Sequence, residues 1–318
     1  FAPFMTSCGF LSLGRAPARR RLACLPLALA SSFGGLALLQ LPAIAHAQQD
    51  APALGETVVT ANRTPQPLSD LVGDVSVVDR QTIERSGAVG VADVLARLPG
   101  IEITRNGSVG NTTSLFIRGA ETRFTAVYLD GVRIDSQSTG GAGWESIPLS
   151  QIDRIEVLRG PAAAVYGSDA VGGVIQLFTK RGEEGVSPYA GIGFGSKGLR
   201  KIEGGVSGKS GLFDYSFGVA HEESKGYNVQ PANKRNVVKD GYASPDRDGY
   251  TSTSGNVKLG FQISPDQRID ATLLTSEIKA GYDAAVSYRT RPPILFRDDE
   301  STNTLRTAGL TWSAKWND

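Results

Sequence analysis

The 318-residue sequence predicts a mainly β protein: a transmembrane antiparallel β-barrel, present only in its first strands, behind an N-terminal mixed α/β domain. Three observations carry this expectation. The chain opens on a leader of secretory type, and past residue 183 apolar and polar residues alternate in runs of about ten. Thirty-eight Gly, one Met and 8% aromatics suit strands and tight turns better than a helical bundle.

The leader comes first. Arg19-Arg20-Arg21 precedes the apolar run 22–45, which closes on Ala45-His46-Ala47. A positive segment, an apolar segment and a small-x-small site predict a signal peptide over 1–47, cleaved before Gln48. Pro26, Gly34, Gly35 and Pro42 interrupt the run as a membrane helix, and no basic stop cluster follows it. The chain starts on Phe1, so translation is expected to begin upstream or at Met5. Cys8 and Cys24 both lie in this segment, so the remainder holds neither a disulfide nor a Cys-based zinc site. Removing the leader's four Arg leaves 29 basic against 32 acidic groups, which excludes nucleic-acid binding through bulk positive charge.

Residues 48–67 carry Pro52, Pro65 and Pro67 around one β-prone island, Glu56-Thr57-Val58-Val59-Thr60. With too little apolar surface to fold alone, this segment reads as a tether bearing one adhesive strand. Residues 68–182 read as a small mixed domain. Strands are expected at 75–78, 101–104, 114–118, 125–129, 155–158 and 173–179. Val91, Val94, Leu95 and Leu98 share one face of a short helix that Pro99-Gly100 stops. Asn106-Gly107, Asp130-Gly131, Gly160-Pro161 and Gly172-Gly173 mark the turns.

From 183 to 318 the period becomes two. Phe213, Tyr215, Phe217 and Val219 alternate with Asp214, Ser216, Gly218 and Ala220; Val257, Leu259 and Phe261 alternate with Lys258, Gly260 and Gln262; Leu310, Trp312, Ala314 and Trp316 continue the pattern. Similar runs at 189–194, 201–208 and 268–278 bring the strands to six. A soluble antiparallel sandwich has the same period. The leader, the missing thiols and Trp316 at a strand end favour the barrel. A plugged pore needs about 22 strands, so on the order of hundreds of further residues are expected beyond Asp318.

The run 158–175, LRGPAAAVYGSDAVGGVI, closely resembles the plug signature of TonB-dependent outer-membrane receptors. Phe116-Ile117-Arg118-Gly119, Tyr128-Leu129-Asp130-Gly131-Val132-Arg133 and Leu98-Pro99-Gly100-Ile101 resemble it in the same order. Within the family, Thr57-Val58-Val59-Thr60-Ala61-Asn62-Arg63 and the run 98–107 are most similar to receptors for cobalamin (vitamin B12). The resemblance implies TonB-dependent active uptake of cobalamin across the bacterial outer membrane. The partners it implies are TonB, its energising ExbB/ExbD complex and membrane lipid. A ferric-siderophore receptor is the alternative within the family, and a secreted β-sandwich adhesion protein the alternative outside it.

The TonB box is expected at Gly55, Glu56, Thr57, Val58, Val59, Thr60 and Ala61, an unpaired β-branched segment free to add a strand to a partner's sheet edge. The family's substrate contacts fall on Asn106, Gly107, Thr112, Ser114, Glu121, Thr139 and Gly140. Glu121 stands where the family has a neutral amide, Thr139 and Gly140 also differ, and all seven suit polar loop tips equally. The resemblance further implies Ca²⁺ on extracellular loops, held by Asp246, Asp248, Asp283 and Asp298 or Asp299. Asn228 replaces one family Asp, which weakens a site whose affinity follows ligand charge, and a solvated Asp-rich loop would read the same. No catalytic set is expected: His221 is followed by Glu222-Glu223 at a strand end, and Asp130 and Asp135 have no adjacent nucleophile. Gly191-Ile192-Gly193-Phe194-Gly195 opens no helix and is not a nucleotide loop.

Overall fold

The computed structural model describes residues 57–58, 66–67, 73–134, 140–229, 247–283 and 298–316, the first two being the short strands β1(Thr57–Val58) and β2(Gln66–Pro67). The leader, most of the tether, Asp135, Thr139 and Asp246 lie outside the described residues.

The plug is built on a five-stranded sheet with spatial order β3(Asp74–Val78), β8(Ile152–Arg159), β9(Gly173–Thr179), β6(Thr125–Leu129), β7(Val132–Arg133). Only β6 and β9 pair in parallel. A separate hairpin joins β4(Ile101–Arg105) to β5(Thr113–Ile117). Asp130 and Gly131, both at positive φ, close the β6–β7 hairpin in two residues, the backbone that the Asp-Gly pair favours. Helix α1(Arg80–Ser86) begins where the Asp79 carboxylate accepts from the Thr82 N–H and ends at left-handed Gly87. Helix α2(Val91–Leu95) is shorter than the apolar spacing suggests. Leu98 follows its end, yet still packs on the core that Val91, Val94 and Leu95 form with Leu115, Ile117, Ile155, Ile175 and Leu177. A one-turn helix, α3(Ala163–Tyr166), follows Gly160-Pro161.

The second sheet has six strands in sequence order: β10(Gly185–Phe194), β11(Arg200–Ser210), β12(Phe213–Tyr227), β13(Asp248–Ser264), β14(Gln267–Asp283) and β15(Asp298–Ala314). Every neighbouring pair is antiparallel. The sequence places all six, though β12 to β15 run 15 to 17 residues. Residues 211–212 and 265–266 close tight turns at one end, while 228–247 and 284–297 make long connections at the other.

The alternation has a fixed sense. In β13, Ser254, Asn256 and Lys258 are buried on the face toward the plug, and Val257, Leu259 and Phe261 look away from it. Outward apolar positions on this strand span 255–263, and the outward Thr251 and Thr253 beyond them are polar. A membrane-crossing strand needs about 9–11 residues, so the upper third of β13 stands clear of the apolar band. A soluble sandwich would bury its apolar face. Here Ile192 and Leu310 are 77% and 78% exposed.

Candidate functional site

The β4–β5 hairpin tip points toward the end of the second sheet that carries the long connections. Its backbone closes through Asn106 N–H to the Thr112 carbonyl (3.0 Å) and Asn111 N–H to the Ser108 carbonyl (3.2 Å). One side of the tip is welded to the wall. Val109 packs on the cluster of Tyr250, Ile278 and Ala280. Gly110, at φ +96°, sits so close that a Cβ there would lie 2.8 Å from the Ala280 Cβ. The other side leaves Asn106 and Thr112 exposed, with Ser114 half-buried one step down β5. Gly107 supplies the positive φ that turns the chain. Four of the expected contact residues, Asn106, Gly107, Thr112 and Ser114, therefore share one polar platform.

Glu121 and Gly140 belong to a second cluster at the far end of β5, whose five residues after Thr112 span about 16 Å of strand. Glu121 pairs with Arg123 Nε at 2.8 Å, and Gly140 packs its open α-carbon against the Arg123 stem. Thr139 lies outside the described residues.

Beneath the platform, Arg105 Nε donates to Thr113 Oγ1 (3.2 Å) and its Nη2 meets Asp93 (3.1 Å). Glu145 Oε2 accepts from the Thr113 N–H (3.2 Å). Burial holds the Glu145 carboxyl above its ordinary range, against the opposing pull of its backbone hydrogen bonds and Arg105. A cavity of about 620 Å³ opens between plug and wall here, lined among others by Arg105, Glu145, Lys201, Glu222, Tyr250 and Ser254. Tyr250 Oη donates to Glu222 across it.

The rim carboxylates do not converge on one face. Asp248 is 1% exposed; its Oδ2 accepts from the Val229 N–H (2.8 Å), while Oδ1 is buried with no hydrogen-bond partner among the described residues. Tyr282 pairs with Asp299 and Asp283 with Asp298, so the two-residue period puts Asp299 on the inner face with Asp248, and Asp283 on the outer. Among the described residues no three His, Cys, Asp or Glu gather around one metal position. The unmatched Asp248 oxygen suits a hard cation, but the expected set is not assembled among the described residues. Asp246 lies outside them.

The TonB-box expectation of an unpaired strand is corrected in part. Thr57 and Val58 pair antiparallel with Pro67 and Gln66, so an open backbone edge finds its own chain first. Gly55, Glu56, Val59, Thr60 and Ala61 lie outside the described residues.

One junction was not legible in the sequence. Lys258 Nζ on β13 meets Asp130 Oδ1 at 2.5 Å, with both side chains almost wholly buried. Asp130 also accepts from Thr179 N–H (3.1 Å) and Oγ1 (2.5 Å). Below it Arg268 bridges Asp214 (2.6 Å) and Asp270 (2.8 Å), and Arg181 reaches Asp270 (3.2 Å).

Residues 67–174 match the family model described as TonB-dependent Receptor Plug Domain. The chain is 35% identical over 297 residues to "Vitamin B12 transporter BtuB" of Vibrio cholerae, covering 92% of this chain and 45% of that protein. It thus spans under half the length of the curated relatives it matches. Among solved structures, Pseudomonas aeruginosa FpvA bound to heterologous pyoverdines superposes with TM-score 0.64 at 18% identity, covering 82% of this chain and 34% of that one. The siderophore receptor PirA of Acinetobacter baumannii gives 0.52 at 26% identity, covering 65% and 32%.

Proposed function

The chain belongs to the TonB-dependent receptors of the bacterial outer membrane, and from that premise we propose that it takes part in active uptake of cobalamin across that membrane. The observation that carries the substrate is the 35% identity to transporters named for vitamin B12. The polar platform of Asn106, Gly107, Thr112 and Ser114 supports it, because a large ligand rimmed with amides is held by backbone and small polar groups rather than by charge.

In this reading the ligand docks on the platform and the surrounding rim. Docking frees the segment 55–61 toward the periplasm, where TonB, energised by ExbB/ExbD, adds a strand to it. The pull displaces the plug from the wall along the polar interface that holds Lys258. In this reading the work of transport comes from the partner. Ca²⁺ at the rim is part of the proposal only through Asp248, where it would supply charge to order the loop bases. No step is routed through it.

A second reading, a ferric-siderophore receptor, rests on the 26% identity to PirA. Equilibrium binding of labelled cyanocobalamin to outer membranes carrying the folded receptor, with Ca²⁺ and with chelator, separates the readings. Saturable binding is expected, weaker under chelation. Binding indifferent to chelation keeps cobalamin and returns Asp248 to a loop base. Absence of binding overturns the cobalamin reading in favour of siderophores.

A further inference from the structure

The hairpin tip and the upper end of β14 meet at one buried amide. Ladder pairing between β13 and β14 ends at Tyr250–Ala280, while β14 stays paired with β15 as far as Asp283–Asp298. Just past that point the Gly281 carbonyl accepts from Asn111 Nδ2 at 3.0 Å. The same amide nitrogen donates to Ser108 Oγ at 3.1 Å. Asn111 is 4% exposed and Ser108 2%, so neither bond is a surface accident. Gly281 in turn abuts the strand start: a Cβ on it would lie 3.5 Å from the Asp248 Cα. Asp248 ties the base of the connection 228–247 through the Val229 N–H. The Asp283–Asp298 pair ties the base of 284–297. Asn111 is therefore bonded to the β14 end at Gly281, next to Asp248 and two residues before Asp283, and its other bond fixes the turn that presents Asn106 and Thr112.

We propose that Asn111 is a positioning residue that couples the barrel rim to the plug's ligand platform. Its amide transmits the arrangement of the β14 end to the hairpin tip. Packing of Val109 and Gly110 holds the tip near the wall, but a directional bond to a main-chain carbonyl fixes its height along the strand. A movement at either neck shifts Gly281, and the tip follows. The inference rests on the uptake reading only in calling the tip a ligand platform. The coupling itself needs no ligand.

The test uses a spin label on Thr112→Cys, an exposed site, in a background free of other cysteines, with the receptor in outer membranes. Asn111→Ala is expected to shift the tip from docked to free by about 2- to 10-fold, the range one lost hydrogen bond produces, read as a mobile spectral component. Asp248→Ala loosens the Val229 neck and should mobilise the label when Asn111 is present. In the Asn111→Ala background Asp248→Ala should add nothing, the non-additivity that coupling demands and a merely structural role does not produce. If Asn111→Ala fails to reach the membrane, Asn111→Ser, whose hydroxyl is too short to bridge to Gly281, carries the same comparison. An immobile label in the Asn111 variant, additive effects, or a label indifferent to Asp248→Ala overturns the proposal. Cyanocobalamin affinity, measured on unlabelled receptor that retains Thr112, should fall by a similar factor in Asn111→Ala. Failure of the parent receptor to bind cyanocobalamin would sink the cobalamin reading while leaving the label result intact.

Discussion

In the plug's β8 and β9 both faces are covered, and Ile155, Val157, Ile175 and Leu177 are fully buried. In β12 to β14 the buried side chains on the inner face include Asp214, Ser216, Asn256, Lys258 and Ser276, and the exposed ones include Phe217, Val219 and Leu273. The first sheet hides apolar surface from water in its own core. The second has no such core: it presents apolar surface to lipid and reserves its polar surface for the plug. The plug therefore meets a wall rich in charge and amide, and their contact is cemented by ion pairs and hydrogen bonds together with two apolar seams, Leu274 and Leu305 against the plug core and Tyr250, Ile278 and Ala280 against Val89 and Val109. On the proposed uptake reading, a plug that moves away from the wall is better served by such a surface than by a continuous apolar core.

The largest expected effect tests that cement. Lys258→Ala leaves Asp130 buried beside Thr179 with no cation, and removing one partner of a buried pair costs about 3–5 kcal/mol. The denaturant midpoint for plug release, read by protease access to the plug in membranes, should fall accordingly. Removing both charges, Lys258→Met with Asp130→Asn, which keeps a residue suited to the left-handed turn and an acceptor for Thr179, should restore much of the loss. An unchanged midpoint in Lys258→Ala would mean that packing alone holds the plug.

The next effect tests the outer face. Val257 lies within the outward apolar band of β13 and Thr253 above it. Arg at the first position should cost about 2–4 kcal/mol if it sits near the bilayer midplane, and at the second about 0–1. Heat-modifiable electrophoretic migration after refolding into bilayers reads both. Equal penalties would place the band elsewhere on the strand.

What was legible in the sequence divides along the same line. Period-two runs revealed all six strands of the second sheet, and apolar runs with their turn residues revealed the plug's main strands, because each signal is local. Helix α1 escaped, although Asp79 and Gly87 stand at its ends, because Ile83 is its only buried residue and no apolar face repeats. The platform was half legible: Asn106 and Thr112 are exposed as expected, while Asn111, which holds them, looks in the sequence like one more loop amide. Lys258 read as a routine polar position. Its partner lies 128 residues away, and no local pattern joins them. The rim aspartates share a loop chemistry in the sequence, but strand register, which the sequence does not display, divides Asp248 from Asp283.

A smaller effect is confined to the plug. Asp79→Ala removes the cap of α1, with an expected cost of about 1 kcal/mol. The Thr82 hydroxyl and N–H hold the Asp79 carboxyl below its ordinary range, so the cap's contribution is present above that range and disappears as pH falls through the lowered value. Thermal unfolding of parent and variant should converge in acid. A difference that persists at the lowest pH would assign the stabilisation to something other than the charged cap.

A last effect lies where the two regions join. Lys180, between β9 and β10, places its ammonium 3.6 Å from the Tyr189 ring centroid. Burial, and next the charge of Arg80, lower its pKa from 10.5 to about 8. The sign follows from proton counting. Between about 8 and 10.5 the unfolded chain still binds the proton that the folded chain has released, so stability rises with pH across that window and is flat below it. The urea midpoint of the parent minus that of Lys180→Met isolates this contribution from every other lysine and tyrosine. The difference should grow in favour of the parent between pH 8 and 10. A difference that stays level would mean that the ring of Tyr189, a residue of the wall, holds the charge as well as water does. The junction would then belong energetically to the barrel rather than to the plug.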